Sequence, residues 1–245
     1  MKNPIPLLLT FSLLFLNACS NETKSKVEAK PKKEISKPKA IIEKQQVSTE
    51  KVTKETQTKD QIEIAKLVGF KAKVKEFIQW TDSLGNHVVI TSETDVYETN
   101  INKEEGTFDQ NAALSCYHYL QKNINEDYKI FWKIEDNSFN CEFDAFAKFQ
   151  KNVLHFTDLD TDGTKEVWVM YFTTCTSDVS PSTLKLIMYE GDKKYKMTGQ
   201  TKVNDGFDHY LGGQISSVGN FKEEPTFLEY AKTIWKKNSN QNFGE

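Results

Sequence analysis

The stretch Phe156-Thr157-Asp158-Leu159-Asp160-Thr161-Asp162-Gly163-Thr164-Lys165-Glu166-Val167-Trp168-Val169 decides the fold class. Counted from Asp158, its carboxylates stand at positions 1, 3, 5 and 9, and Gly163 permits the sharp turn that gathers them. A hard cation such as calcium takes about six to eight oxygens at about 2.3–2.6 Å. The spacing therefore points to one structural calcium held by Asp158, Asp160, Asp162 and Glu166 with the Thr164 backbone carbonyl. The loop is not an EF-hand. Position 12 is Val169, where a bidentate Glu would stand, and the flanks read as strands rather than helices. A metal-free, Asx-rich hairpin turn is the competing reading. The motif occurs once, so a propeller built from repeated blades is excluded.

Working outward, residues 167–172 are apolar on both alternating faces, which marks a central strand covered on each side. Residues 184–189 form the next strand, with Leu184, Leu186 and Met188 on its core face, and 194–198 pair back across Glu190-Gly191-Asp192. Further strands are expected at 74–80, 87–91, 114–120, 128–134 and 153–157, the first two joined as a hairpin through Asp82-Ser83-Leu84-Gly85-Asn86. Residues 61–68 suit a short strand or a helical turn. Near the C-terminus, Phe227, Tyr230, Ala231 and Ile234 recur at helical spacing. Thr226 and Glu229 have capping-box spacing, with Pro225 just outside. The fold expected is mainly β (α+β): antiparallel sheets, a strand-loop-strand Asp-rich calcium-type loop and a short C-terminal helix. The domain should span 61–238, with a frayed tail at 239–245.

The chain begins with an address. Lys2 precedes an apolar run from Ile5 to Leu16, too short to span a bilayer as a permanent helix, which reads as a secretion signal. The run ends in Leu16-Asn17-Ala18-Cys19, which resembles the lipobox of bacterial lipoproteins. That resemblance implies a signal peptide at 1–18, cleavage after Ala18 and lipid on the Cys19 sulfur; several acyl chains give durable attachment where one does not. Ser20 is not the Asp associated with inner-membrane retention, which points to the outer membrane, periplasmic or cell-surface face left open. Residues 19–60 are then a flexible Lys/Glu-rich tether without aromatics, unable to bury enough apolar area to fold.

Composition narrows the partners. Residues 20–60 carry 11 Lys against seven carboxylates, whereas 61–245 carry 20 Lys against 28, and the chain has no Arg. An acidic domain lacking the bidentate guanidinium is poorly suited to nucleic acid, nucleotides or other strongly anionic ligands. No Walker lysine accompanies the Gly-containing segment 206–219, and there is no Gly-x-Ser-x-Gly elbow or closely spaced His pair for zinc. With Cys19 lipidated, Cys116, Cys141 and Cys175 remain for an oxidising compartment. Cys116 lies inside a strand, whereas Cys141 and Cys175 lie at element ends, so a Cys141–Cys175 bridge with Cys116 free is favoured. A Cys nucleophile paired with His118, His155 or His209 is the alternative. Asp205, Asp208 and His209 form one other polar cluster.

The phrases Thr157-Asp158-Leu159-Asp160, Glu166-Val167-Trp168, Ser177-Asp178-Val179-Ser180-Pro181-Ser182, Leu184-Lys185-Leu186-Ile187-Met188-Tyr189-Glu190 and Phe227-Leu228-Glu229-Tyr230-Ala231 resemble a family of small secreted or lipid-anchored Bacteroidota proteins labelled surface polysaccharide biosynthesis proteins. The resemblance spans roughly residues 70 to 237. It implies an outer-membrane lipoprotein acting as an accessory or binding module in surface polysaccharide or envelope glycan assembly, with a glycan or envelope protein as partner. It supplies no catalytic residues. Two alternatives stay open: a glycan-acting enzyme using a carboxylate pair, and a purely structural envelope protein.

Overall fold

The computed structural model describes residues 58–206 and 209–241. The expected leader, Cys19, the tether up to residue 57, Asp208 and the tail from 242 lie outside the described residues.

The tether ends earlier than its composition suggests. Helix α1 covers Lys59–Val68, so Lys59 and Asp60 belong to the domain. Its start is set by a capping box: Thr58 Oγ1 accepts from the Gln61 N–H, and Gln61 Oε1 accepts from the Thr58 N–H. Gly69, at φ 69°, closes it.

The first sheet follows. Strands β1 (Glu76–Asp82) and β2 (Gly85–Glu93) form the expected hairpin. Gly85 sits at φ 136°, and a Cβ there would lie 2.1 Å from the Gln121 carbonyl oxygen, so only glycine lets this turn lie against the neighbouring strand. Strand β3 (Tyr97–Asn102) was not foreseen. Strand β4 (Thr107–Gln121) pairs along one side with β3 and then β2, and along the other with β5 (Lys129–Cys141). β5 is thus an edge strand, and 135–140 continue it despite their polarity.

The second sheet takes β6 (Asp144–Phe149), β7 (His155–Thr157), β8 (Glu166–Thr176), β9 (Thr183–Glu190) and β10 (Lys193–Gln200). After them come β11 (Lys202–Asn204), β12 (Tyr210–Gly212) and β13 (Ile215–Ser217). β13, β10, β9, β8 and β6 run in that order, β7 adds to β8, and β11 with β12 form a separate small hairpin. Every pairing between these strands is antiparallel.

The layers stack as helix, sheet, sheet, helix. Val167, Val169 and Tyr171 of β8 face the first sheet, against Val89, Leu114, Cys116, Trp132 and Ile134. Trp168 and Met170 point the other way, onto Phe227, Ala231, Ile234 and Trp235 of α2 (Pro225–Asn238). α1 covers the outer face of the first sheet through Ile64 and Val68. The apolar run at 167–172 is therefore buried on both sides, as its composition requires.

Two expectations need correction. The capping box at Thr226 does not form. Pro225 occupies the first turn, where its missing N–H costs nothing, Glu224 is the N-cap without a side-chain bond, and Glu229 pairs with Lys232 instead. The tail does not fray at 239. The Lys202 N–H donates to the Ser239 carbonyl, the Gln241 N–H donates to the Lys202 carbonyl, and Thr201 Oγ1 donates to Gln241 Oε1, so 239–241 are stitched to the domain. No described helix is long and apolar enough to cross a membrane.

Candidate functional site: the aspartate loop and its aromatic flank

The disulfide is Cys141–Cys175, with Cα atoms 5.6 Å apart. It joins the end of β5 in one sheet to β8 in the other. Cys116 is free and wholly buried, and burial pushes its thiol far above the usual range. A nucleophile needs thiolate, so the Cys–His reading has no chemical basis at Cys116.

The loop between β7 and β8 gathers its carboxylates in two overlapping sets. Oxygens of Asp158, Asp160 and Asp162 lie within 4.8 Å of one another, and so do oxygens of Asp160, Glu166 and Glu190. That span is about twice a calcium–oxygen bond, so either set can hold one divalent ion. Asp160 belongs to both and is the hub. Glu190 was not foreseen: it lies opposite Glu166 in the β8–β9 register, a neighbour that only strand pairing reveals.

Much of the loop's carboxylate capacity is already engaged. Asp158 accepts from Lys165 Nζ at 2.9 Å, and this contact is the main cause holding its carboxyl below the usual range. Asp160 and Asp162 each accept a backbone N–H two residues ahead, from Asp162 and Thr164. These are the bonds of Asx turns. Thr164 therefore enters this network through its N–H. Gly163 takes φ 90° as expected, and Thr161 is also left-handed at φ 61°.

Glu166 differs from its partners in being completely buried. Its carboxylate accepts from Thr157 Oγ1 and from the Leu159 N–H, while Trp168 Nε1 donates to Thr157 Oγ1 at 2.8 Å. Burial raises its pKa despite these donors. Glu166 thus anchors the loop's entry to the core strand while presenting an oxygen to Asp160 and Glu190. Glu190 is raised too, first by burial and then by Asp160. Two raised carboxylates around a shared aspartate are what mutual repulsion and burial produce, and a cation relieves both.

Beside the loop stands an aromatic flank. Trp80 on β1 is half-buried and lies 5.3 Å, between ring centroids, from the exposed Phe156. It also stacks on His87 at 4.5 Å and lies 5.2 Å from His118. Trp80 Nε1 and His87 Nε2 both donate to Asp82, and the Leu84 N–H adds a third bond. Burial opposes ionisation of Asp82, but these bonds outweigh it and lower its pKa. A cleft lined by Trp80, Leu84, His87, His118, Thr164 and Lys165 lies between flank and loop. At 10 Å³ it holds about one water and admits nothing larger.

Asp205 and His209 lie 3.5 Å apart on an exposed loop, away from these groups in sequence and strand order. Comparison of the chain with family models, with curated proteins and with solved structures finds no match.

Proposed function

We propose that this chain is an outer-membrane lipoprotein whose β-rich domain is a calcium-braced accessory or binding module for surface polysaccharide or another envelope glycan. The observation that carries the binding role is the half-exposed Trp80–Phe156 pair set against the Asp158–Glu166 loop. Flat aromatic faces receive the C–H faces of sugar rings, and a braced loop fixes such a platform in place. Phe156 lies in the strand that enters the loop, two residues before Asp158, so ordering the loop orders Phe156.

Export is supported by the Cys141–Cys175 bridge, which suits an oxidising compartment. Anchoring rests on Leu16-Asn17-Ala18-Cys19. Detergent partitioning tests the anchor: wild type should enter the detergent phase and Cys19→Ala the aqueous phase, and equal aqueous partitioning refutes it. The glycan role is tested by comparing lipopolysaccharide profiles of a deletion strain, its parent and a strain carrying Trp80→Ala. An unchanged profile in the deletion strain defeats the assignment.

A further inference from the structure

Four lysines of the acidic domain line one groove, and the two-sheet packing creates it. The first sheet covers β8 and β9 but stops short of β10. On β10 the residues facing that way are therefore charged rather than apolar: Lys194 lies opposite Tyr189, and Lys196 opposite Ile187. The edge strand β5 forms the opposite wall. Between them lies a groove of 290 Å³, floored by Ile134, Ile187 and Tyr171 and rimmed by four lysines and two carboxylates.

The charges are not equivalent. Lys185 Nζ and Tyr171 Oη both donate to Asp136, and Lys133 pairs with Glu135 at 2.7 Å. Lys194 and Lys196 have no carboxylate within ion-pair distance among the described residues. Lys194 instead sits 5.7 Å over the Tyr189 ring. Burial, then Lys196, presses its pKa below the usual range, with Asp136 opposing and Lys185 adding to the effect. Two neighbouring ammonium groups lining one groove make a receptor for one negative group.

We propose that this groove binds a carboxylate-bearing sugar unit, a hexuronate, with the carboxylate between Lys194 and Lys196. The volume suits a single ring. Ile134 and Ile187 are buried beneath the groove and close its floor, so the ring's C–H face meets the lysine stems, and Glu135 and Asp136 accept from its hydroxyls with the lone pairs that Lys133, Tyr117, Lys185 and Tyr171 leave. Inorganic phosphate has few donors for those acceptors and is repelled by both. The domain's overall negative charge argues against anionic ligands in general; this groove is the local exception. The inference deepens the glycan-binding reading and rests on it for the saccharide class, but it uses a different face from Trp80.

The test is a titration of the ¹⁵N-labelled full-length chain with galacturonate, galactose and inorganic phosphate, in wild type and Lys194→Ala/Lys196→Ala. Galacturonate should shift amides of β10 and β5. The lysine variant should bind it at least tenfold more weakly. Both lysines are exposed, so the variant should keep the wild-type melting curve. The groove assignment is overturned if galactose or phosphate binds there as tightly, if the lysine variant retains affinity, or if galacturonate shifts no β10 amide. If galacturonate shifts only amides around Trp80 and Phe156, the glycan reading stands and the groove falls. If no sugar shifts either face, both fall.

Discussion

His87 Nδ1 lies 2.9 Å from His118 Nε2 in the interior of the first sheet. Because Asp82 takes a proton bond from His87 Nε2, His87 Nδ1 must accept, and His118 must donate through Nε2. His118 Nδ1 is then a bare lone pair, and it has no partner. Protonating it would create a buried, unpaired cation. Burial first, then the neighbouring His87, lowers its pKa to about 3, with Asp82 opposing.

Acid sensitivity follows from this pair. The unfolded chain binds a proton on this residue near the ordinary histidine pKa, about 6.5, and the folded chain does not until far lower. Stability is therefore full above pH 7 and falls as pH drops from 6.5 toward 3, by up to about 1.4 kcal/mol per unit. His155, also lowered by burial, acts in the same direction. Urea melts from pH 8 to 4 should show the fall, and His118→Leu should flatten it whatever its own baseline. A slope unchanged in the variant would exclude His118 as its source.

The disulfide contributes through the unfolded chain. It closes a sequence separation of 34 residues. Chain entropy gives about 3–4 kcal/mol for a loop of that size. Cys141→Ala/Cys175→Ala should lose that order of stability in denaturant melts. A loss below 1 kcal/mol would mean that the Ser138–Thr174 bond and neighbouring packing hold the seam alone.

Removing the Glu166 side chain should harm the fold even without metal. Glu166→Ala leaves the Thr157 hydroxyl and the Leu159 N–H without their acceptor, at a cost of roughly 2–4 kcal/mol. Glu166→Gln keeps an acceptor oxygen and should lose about half as much. Chelator-treated protein is the right sample, and equal stability of all three forms would remove the anchoring role.

Calcium binding should depend most on Asp160, the residue common to both carboxylate sets. Asp160→Ala should abolish the difference between thermal melts in calcium and in chelator while shifting the chelator melt little. Asp162→Ala, outside the second set, should weaken calcium less. Wild-type melts that coincide with and without millimolar calcium would leave a metal-free turn.

What the sequence disclosed depended on how local the signal was. The doubly apolar run at 167–172, the aspartate spacing and the placement of two cysteines at element ends are readable within a few residues. α1 was obscured because a polar tether precedes it, although Thr58 and Gln61 carry its capping box and Ile64 and Val68 its spacing. β3 is mostly exposed, so it lacks the alternation that marks a strand. The expected strand at 128–134 stops short of the end of β5 because an edge strand tolerates polar residues on both faces. The His87–His118 pair, the contact of Glu190 with Asp160, and the lysine groove all arise across strands. Their members become neighbours only through register, which no linear spacing encodes.

The bridge between β5 and β8 also has a mechanical consequence. When the chain is pulled from its ends, residues between Cys141 and Cys175 cannot enter the extended length. The oxidised protein should therefore stretch roughly 110 Å less than the reduced one, at about 3.3–3.6 Å per residue over the separation of 34. The withheld segment includes β6, β7, the aspartate loop and nearly all of β8, so under load that loop stays on a closed ring while the rest of the chain unravels around it.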